Sequence, residues 1–324
     1  MTSPSRTTVL FRGAISALVT PFSREKLDLD TLQRLVERQV AGGIDGLAPC
    51  TLAGEVSTLS RSERAGVIRA TVETADGRVP VLAGAGASGT DASIALVADA
   101  QAAGADAVLV AVPFYNKPSQ LGIVNHFEQI ARAVDIPVLI HHVPAHQGLD
   151  LTPSTIRALA AIPSVVGVAD MSGDLGRLAL YRSVETPFFV LGGSDQAIVP
   201  FCMAGGDGTL SGLANVEPAL VASLTHAALA GYLPAASQIE TRLRPLLEAL
   251  LSGHDSAALK HALSLLMGLD PALRLPMVPV EPPVAEAIAE ALLRLHSATP
   301  ASPYENLMPV GTFPHRNPMR RPLA

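Results

Sequence analysis

The chain has 324 residues, 48% hydrophobic and 16% charged, enough apolar material for one large domain with a sizeable core. A net charge of -6 and a pI near 5.8, with 20 Arg and three Lys scattered along the chain, exclude a general basic surface for nucleic acid. No apolar run approaches the ~20 residues of a spanning helix, and the start carries no apolar leader of useful length, so a soluble cytoplasmic protein with no membrane partner is expected.

Eight short β-rich runs follow in order: AISALVT, IDGLAPC, VPVLAGAG, ADAVLVAVP, IPVLIHHV, SVVGVAD, PFFVLGG and GDGTLSG. They are nearly all apolar rather than alternating, as parallel strands buried on both faces are. Amphipathic helical patterns lie between them, with start signals at Asp30 before TLQRLVERQVA, Ser60 before RSERAGVIRATVETA, and Thr152 or Pro153 before STIRALAAI. Gly42, Gly43 and Gly104 sit where helices would end. Eight strand-helix units in about 215 residues match an α/β fold of the (β/α)8 TIM barrel type. A doubly wound sheet is the alternative, opposed by the lack of a glycine-rich dinucleotide fingerprint after the first strand.

From residue 218 the pattern turns purely helical, as in PALVASLTHAALAGYL and PPVAEAIAEALLRLH, and predicts an appended C-terminal helical bundle. The expected organisation is an N-terminal extension at 1–12, a barrel core at 13–217, the last barrel helix and C-terminal helices at 218–296, and a Pro-rich tail at 297–324. Cys50 and Cys202 form neither a disulfide framework nor a zinc spacing and are expected as free thiols.

Several strings, taken together and in order from about Gly13 to Leu295, resemble the family of dihydrodipicolinate synthase and N-acetylneuraminate lyase, pyruvate-using aldolases built on this barrel. They are AISALVTPF, LAGEVSTLSRSER, PFYNKPSQLGIVNHF, VPAHQGLDL, GGSDQAIVPFCMAGGDGTLSGLANVEP and LKHALSLLMGL. The resemblance implies a lyase that acts on a small-molecule substrate and assembles as a homodimer or homotetramer; no cofactor is expected, and no metal either, since His141 and His142 should face opposite sides of their strand and Glu55 matches a mostly structural glutamate of the family.

Three departures from the family pattern shape the expected chemistry. Family members hold substrate as an imine on a lysine ending the sixth strand, in a string like GIKEA; here the string is GVADM, with Ala169 at that position and Asp170 after it. A methyl group forms no Schiff base. The paired hydroxyls that precede Gly-Glu in the family are Leu52 and Ala53 here, leaving Thr51 upstream and the backbone N–H groups around Ala53 and Gly54 as donors. At the end of the fifth strand, His141 stands for the family's proton-relaying tyrosine and His146 for an arginine, while Tyr115 matches an aromatic contributed across a subunit interface.

An imidazole exchanges protons near neutrality, so His141, His146 and Tyr115 are the expected catalytic residues. Thr51, Leu52, Ala53, Gly54, Ala169, Asp170 and Ser211 are the expected substrate-binding positions. Strand alternation turns His141 into the barrel and His142 outward. The expected activity is acid/base carbon–carbon cleavage or formation, elimination, hydration or cyclisation without a Schiff base. A non-catalytic barrel that binds a metabolite or partner stands as the alternative, and a pyruvate aldolase using Lys117 as a third reading.

Overall fold

The computed structural model describes residues 11–253 and 255–297. Except for Phe11, Arg12 and Ser297, the expected N-terminal extension and Pro-rich tail lie outside the described residues.

Eight short parallel strands form one sheet: β1 (Gly13–Ala17), β2 (Gly46–Ala48), β3 (Leu82–Gly84), β4 (Ala107–Ala111), β5 (Val138–His142), β6 (Val165–Asp170), β7 (Phe189–Gly192) and β8 (Gly208–Ser211). Their order is β2-β1-β8-β7-β6-β5-β4-β3, and a parallel bridge between Leu47 and Val81 joins the two ends into a barrel. The seam continues where Gly84 N–H donates to Pro49 O at 2.9 Å. A Cβ at Gly84 would lie 1.9 Å from Cys50 O, so this approach requires glycine. Runs such as AVLVA and VLIHH are buried along almost their whole length, which is the environment their apolar sequence calls for. The barrel read from the apolar runs is therefore the fold, and the doubly wound alternative falls away.

Helices α1 (Leu29–Ala41), α2 (Arg61–Ala75), α3 (Thr90–Ala102), α4 (Gln120–Ala133), α5 (Pro153–Ala160), α6 (Arg177–Arg182), α7 (Ile198–Met203) and α8 (Pro218–Leu229) alternate with the strands. Ser60 and Glu63 form a reciprocal capping box at the start of α2, and Thr152 accepts from Thr155 N–H ahead of Pro153 in α5. At α1 the cap is Asp28 rather than Asp30: the Asp28 carboxylate accepts from Thr31 N–H at 2.9 Å, and Asp30 supplies negative charge in the first turn.

Three further helices complete the chain, α9 (Leu233–Leu251), α10 (Asp255–Met267) and α11 (Pro282–Ser297). They pack on one another and on the barrel's helical layer, with Ala236, Leu246, Ala258, Leu263 and Ile288 in the shared core. No helix among the described residues is long and apolar enough to cross a membrane. Cys50 and Cys202 are free and buried, and burial pushes each thiol up to about 12.

Candidate active site

A cavity of about 290 Å³ opens at the C-terminal ends of the strands, where barrels of this kind carry their chemistry. Its floor takes Ala17 from β1 and His141 from β5, and one wall is the turn after β2 with Thr51, Leu52 and Ala53. Met171 and the Gly193–Gln196 turn close the opposite side. Leu247, Leu250 and Leu251 of α9 and Leu259 of α10 lie over it as a roof.

Register fixes which strand residues share this space. In the β5/β6 pair, His141 stands opposite Ala169 and His142 opposite Asp170. Because His141 lines the cavity, Ala169 shares the barrel interior, and His142 and Asp170 face the helical layer. His141 is 7% exposed, and its Nε2 has no hydrogen-bond partner among the described residues. Burial first, then repulsion from His142 and His146, presses its pKa to about 4, so the ring is neutral at pH 7.

The second unpartnered group is the Thr51 hydroxyl, 4% exposed, whose Oγ1 bonds to nothing among the described residues. Left-handed Cys50, at φ 59°, and left-handed Glu55, at φ 51°, bracket this turn. Inside it, Gly54 N–H donates to Thr51 O at 3.1 Å and Glu55 N–H to Leu52 O at 3.0 Å. Gly54 is thus spent on the turn itself. The Leu52 and Ala53 N–H groups donate to no acceptor among the described residues and remain available.

The turn is held from outside the barrel. Glu55 is buried and receives Lys260 Nζ at 2.5 Å on Oε1 and Arg274 N–H at 3.1 Å on Oε2. The same Lys260 ammonium donates to Ala272 O at 2.8 Å and stands 4.1 Å over the Phe22 ring. Phe22 belongs to a small hairpin after β1, Phe22–Ser23 against Lys26–Leu27. Burial lowers the Lys260 pKa, and the Glu55 bond works against that shift.

The other two lysines stand away from the cavity. Lys26 is exposed on the hairpin. Lys117 is exposed on the loop after β4 and runs along Gly148, where a Cβ would come within 2.7 Å of Lys117 Cε. None of the three lines the cavity.

Other predicted site residues occupy different surroundings. Asp170 accepts from Tyr181 Oη at 2.6 Å and from Arg177 Nε at 3.1 Å, and Arg177 also donates to Asp150 at 2.7 Å. His142 Nε2 meets Asp150 at 2.9 Å, so this network ties the loop after β5 to α6 outside the barrel. Ser211 pairs with Ser16 of β1 on the face opposite Leu210, and its Oγ accepts from Ala214 N–H at 3.0 Å. His146 is exposed on the single turn Pro144–Gln147, and Tyr115 is 93% exposed with φ 70°. Neither lines the cavity.

Sequence reasoning overlooked the roof leucines and the Ser194–Gln196 turn. The GGSDQ string after the seventh strand, at a known chemical end of the barrel, is the signal that points to the turn. Leucines at 247, 250 and 251 have ordinary core periodicity and carry no such signal.

Comparison with known proteins agrees with this geometry. A model of the dihydrodipicolinate synthetase family matches residues 10–294. The 4-hydroxy-tetrahydrodipicolinate synthase of Nitrobacter hamburgensis is 40% identical over 284 residues, 87% of this chain and 96% of the relative. That of Rhizobium meliloti is 42% identical over 285 residues, 87% and 98% of the two chains. Among solved structures, the Aquifex aeolicus dihydrodipicolinate synthase superposes with a TM-score of 0.86 at 32% identity, covering 88% of this chain and 98% of the other. The Acinetobacter baumannii enzyme, solved with pyruvate, gives a TM-score of 0.86 at 32% identity, covering 89% and 99%. With the whole barrel, the turn after β2 and all but the last three residues of the helical appendix inside the matched region, the chain belongs to the dihydrodipicolinate synthetase family.

Proposed function

We propose that this protein is a lyase of the family that works without a Schiff base, using His141 for acid/base chemistry on a small carbonyl or carboxylate substrate. The observation that carries the reading is the pairing of a neutral, unpartnered imidazole with an alanine at the matching position of the next strand, in a cavity that no lysine lines.

The imidazole is neutral above about pH 4. In the tautomer that leaves Nε2 unprotonated, it can take a proton from the carbon next to a substrate carbonyl. The electron pair left behind moves into the carbonyl, giving an enolate oxygen. The N–H groups of Leu52 and Ala53, two residues that line the cavity, are the donors assigned to such an oxygen, in the manner of an oxyanion hole. The enolate in turn stabilises the imidazolium by opposite charge, and the ring returns the proton to a leaving group or to product. Carbon–carbon formation, elimination and cyclisation through an enolate fit this scheme, and cleavage fits it in reverse, with the ring taking the proton of a β-hydroxyl while the carbon–carbon bond breaks and its electron pair becomes the enolate.

Two measurements test it. Incubation with pyruvate and borohydride is expected to leave the protein mass unchanged, and a pyruvate adduct on Lys117 or Lys260 would overturn the lysine-independent reading. Replacement of His141 with Ala is expected to lower turnover by ~10²–10⁴-fold with the fold retained, and unchanged turnover would remove the assigned role.

A further inference from the structure

His142 takes no part in the chemistry assigned to His141, yet it is wholly buried and both of its ring nitrogens are engaged. Nδ1 lies 3.2 Å from Gln147 Oε1, and Nε2 lies 2.9 Å from Asp150 Oδ1. Where the ring carries hydrogen follows from what each of these oxygens already bonds. The Gln147 amide has one orientation open to it, because its Nε2 donates to His141 O at 2.8 Å and its Oε1 accepts from Val143 N–H at 3.0 Å. Turned over, the amide would set oxygen against a carbonyl and N–H against N–H, so Oε1 faces the ring as an acceptor. Asp150 faces it as an acceptor too, with Oδ1 taking Leu151 N–H at 2.7 Å and Oδ2 taking Arg177 Nη1 at 2.7 Å.

A neutral imidazole has one N–H and one lone pair, and either tautomer would press the lone pair against an oxygen inside the protein. Only the imidazolium donates at both ends. The charges that act on the ring come from Asp170 on β6, Arg177 on α6 and Asp150 on the loop after β5, with His141 beside it on its own strand. Around them, Tyr181 of α6 donates to Asp170 at 2.6 Å, and the Gln120 amide of α4 donates to Asp150 O at 2.8 Å. Burial lowers the His142 pKa and Arg177 adds to that, while Asp170 and Asp150 work to keep the proton on the ring. The two acceptors decide the balance, since loss of the proton would leave one of them facing a lone pair with no water to relieve it.

We propose that His142 is a buried imidazolium at neutral pH and acts as a positioning residue for His141. Its two N–H groups clamp Gln147 and Asp150, and Gln147 in turn fixes the two peptide groups that flank His142, through His141 O and Val143 N–H. The strand end that carries His141 is thereby held from outside the barrel. A fixed positive charge one residue away also repels a second proton from His141, which makes that ring a weak base whose conjugate acid gives its proton back readily. This last consequence rests on the assignment of His141 as the acid/base group, whereas the charge on His142 stands apart from it.

Nitrogen NMR of the full chain carrying labelled histidine reads the charge directly. At pH 7 the His142 ring is expected to hold hydrogen on both nitrogens, and a neutral tautomer there would overturn the inference. His142→Gln keeps an amide donor for Asp150 and removes the charge; it is expected to raise the His141 titration midpoint by about one pH unit from its value of about 4. A midpoint that stays in place in the folded variant would remove the positioning role. If His142 is doubly protonated and His141→Ala turns over at the parent rate, the acid/base assignment fails and the buried cation stands. If His142 is neutral and His141→Ala is inactive, the cation fails and the acid/base site stands.

Discussion

A ring that stays neutral inside the barrel makes the native state reluctant to take up a proton, and that reluctance has a direction in pH. The His141 pKa falls from 6.5 to about 4 on folding, so between those values the unfolded chain binds the proton and the native chain does not. Stability from this group is therefore complete above pH 6.5 and is lost as pH falls toward 4. At ~1.4 kcal/mol per unit the full shift corresponds to at most ~3–4 kcal/mol. Denaturant unfolding at pH 7.5 and pH 4.5 measures it: the His141→Phe variant should lose distinctly less stability than the parent over that interval, and an equal loss would contradict the buried neutral ring. The orientation of His141 and His142 was legible from strand alternation alone, and the same rule applied to Ala169 turns Asp170 outward. What alternation does not carry is the identity of the groups waiting there: Arg177 and Tyr181 reach Asp170 from α6 through a fold-dependent turn of chain.

At the scale of elements, the turn after β2 is held in place by parts of the chain some 200 positions later. Lys260 of α10 and Glu55 form an ion pair whose side chains are 0% and 1% exposed. Removing one partner of a buried pair leaves the other charge unsatisfied, at a cost of ~3–5 kcal/mol. Lys260→Met is expected to destabilise the protein by that amount, and adding Glu55→Gln to recover a large part of it, as read from paired chemical denaturation curves. A single variant with no measurable loss would show that Glu55 finds another partner. Arg274 strengthens the same tie through Glu63, at 2.6 and 2.9 Å, so the carboxylate that caps α2 also fastens the segment after α10. The eight strands and the Ser60 box could be read from apolar runs and cap residues, because those signals are local. The Lys260–Glu55 pair could not, since nothing local couples two residues that far apart. The leucines of α9 posed a related difficulty: a helix face turned to a neighbouring helix and one turned to a cavity have the same spacing.

At the scale of the whole molecule, the exposed large hydrophobics of the described residues include Phe114 at 40%, Tyr115 at 93% and Leu121 at 69%, close together in sequence between β4 and the first turn of α4. Clustered exposed apolar side chains are a mark of interfaces, and a homodimer or homotetramer is the assembly we propose, with Tyr115 reaching toward a neighbouring copy. Light scattering should give a mass of at least twice 33.6 kDa. Tyr115→Asp, which tolerates the positive φ and adds charge, should shift the distribution toward single chains. A parent that runs as a single chain would refute the assembly.

The roof over the cavity also sets an order of events at the ribosome. Every wall of the site is contributed before residue 214, and the lid only by Leu247 to Leu259. At ~5–20 residues per second, the nascent barrel spends roughly 2–10 s with its reaction centre open to water and its leucine-facing rim uncovered. The leucine roof thus reaches the site only after all eight strands have been made.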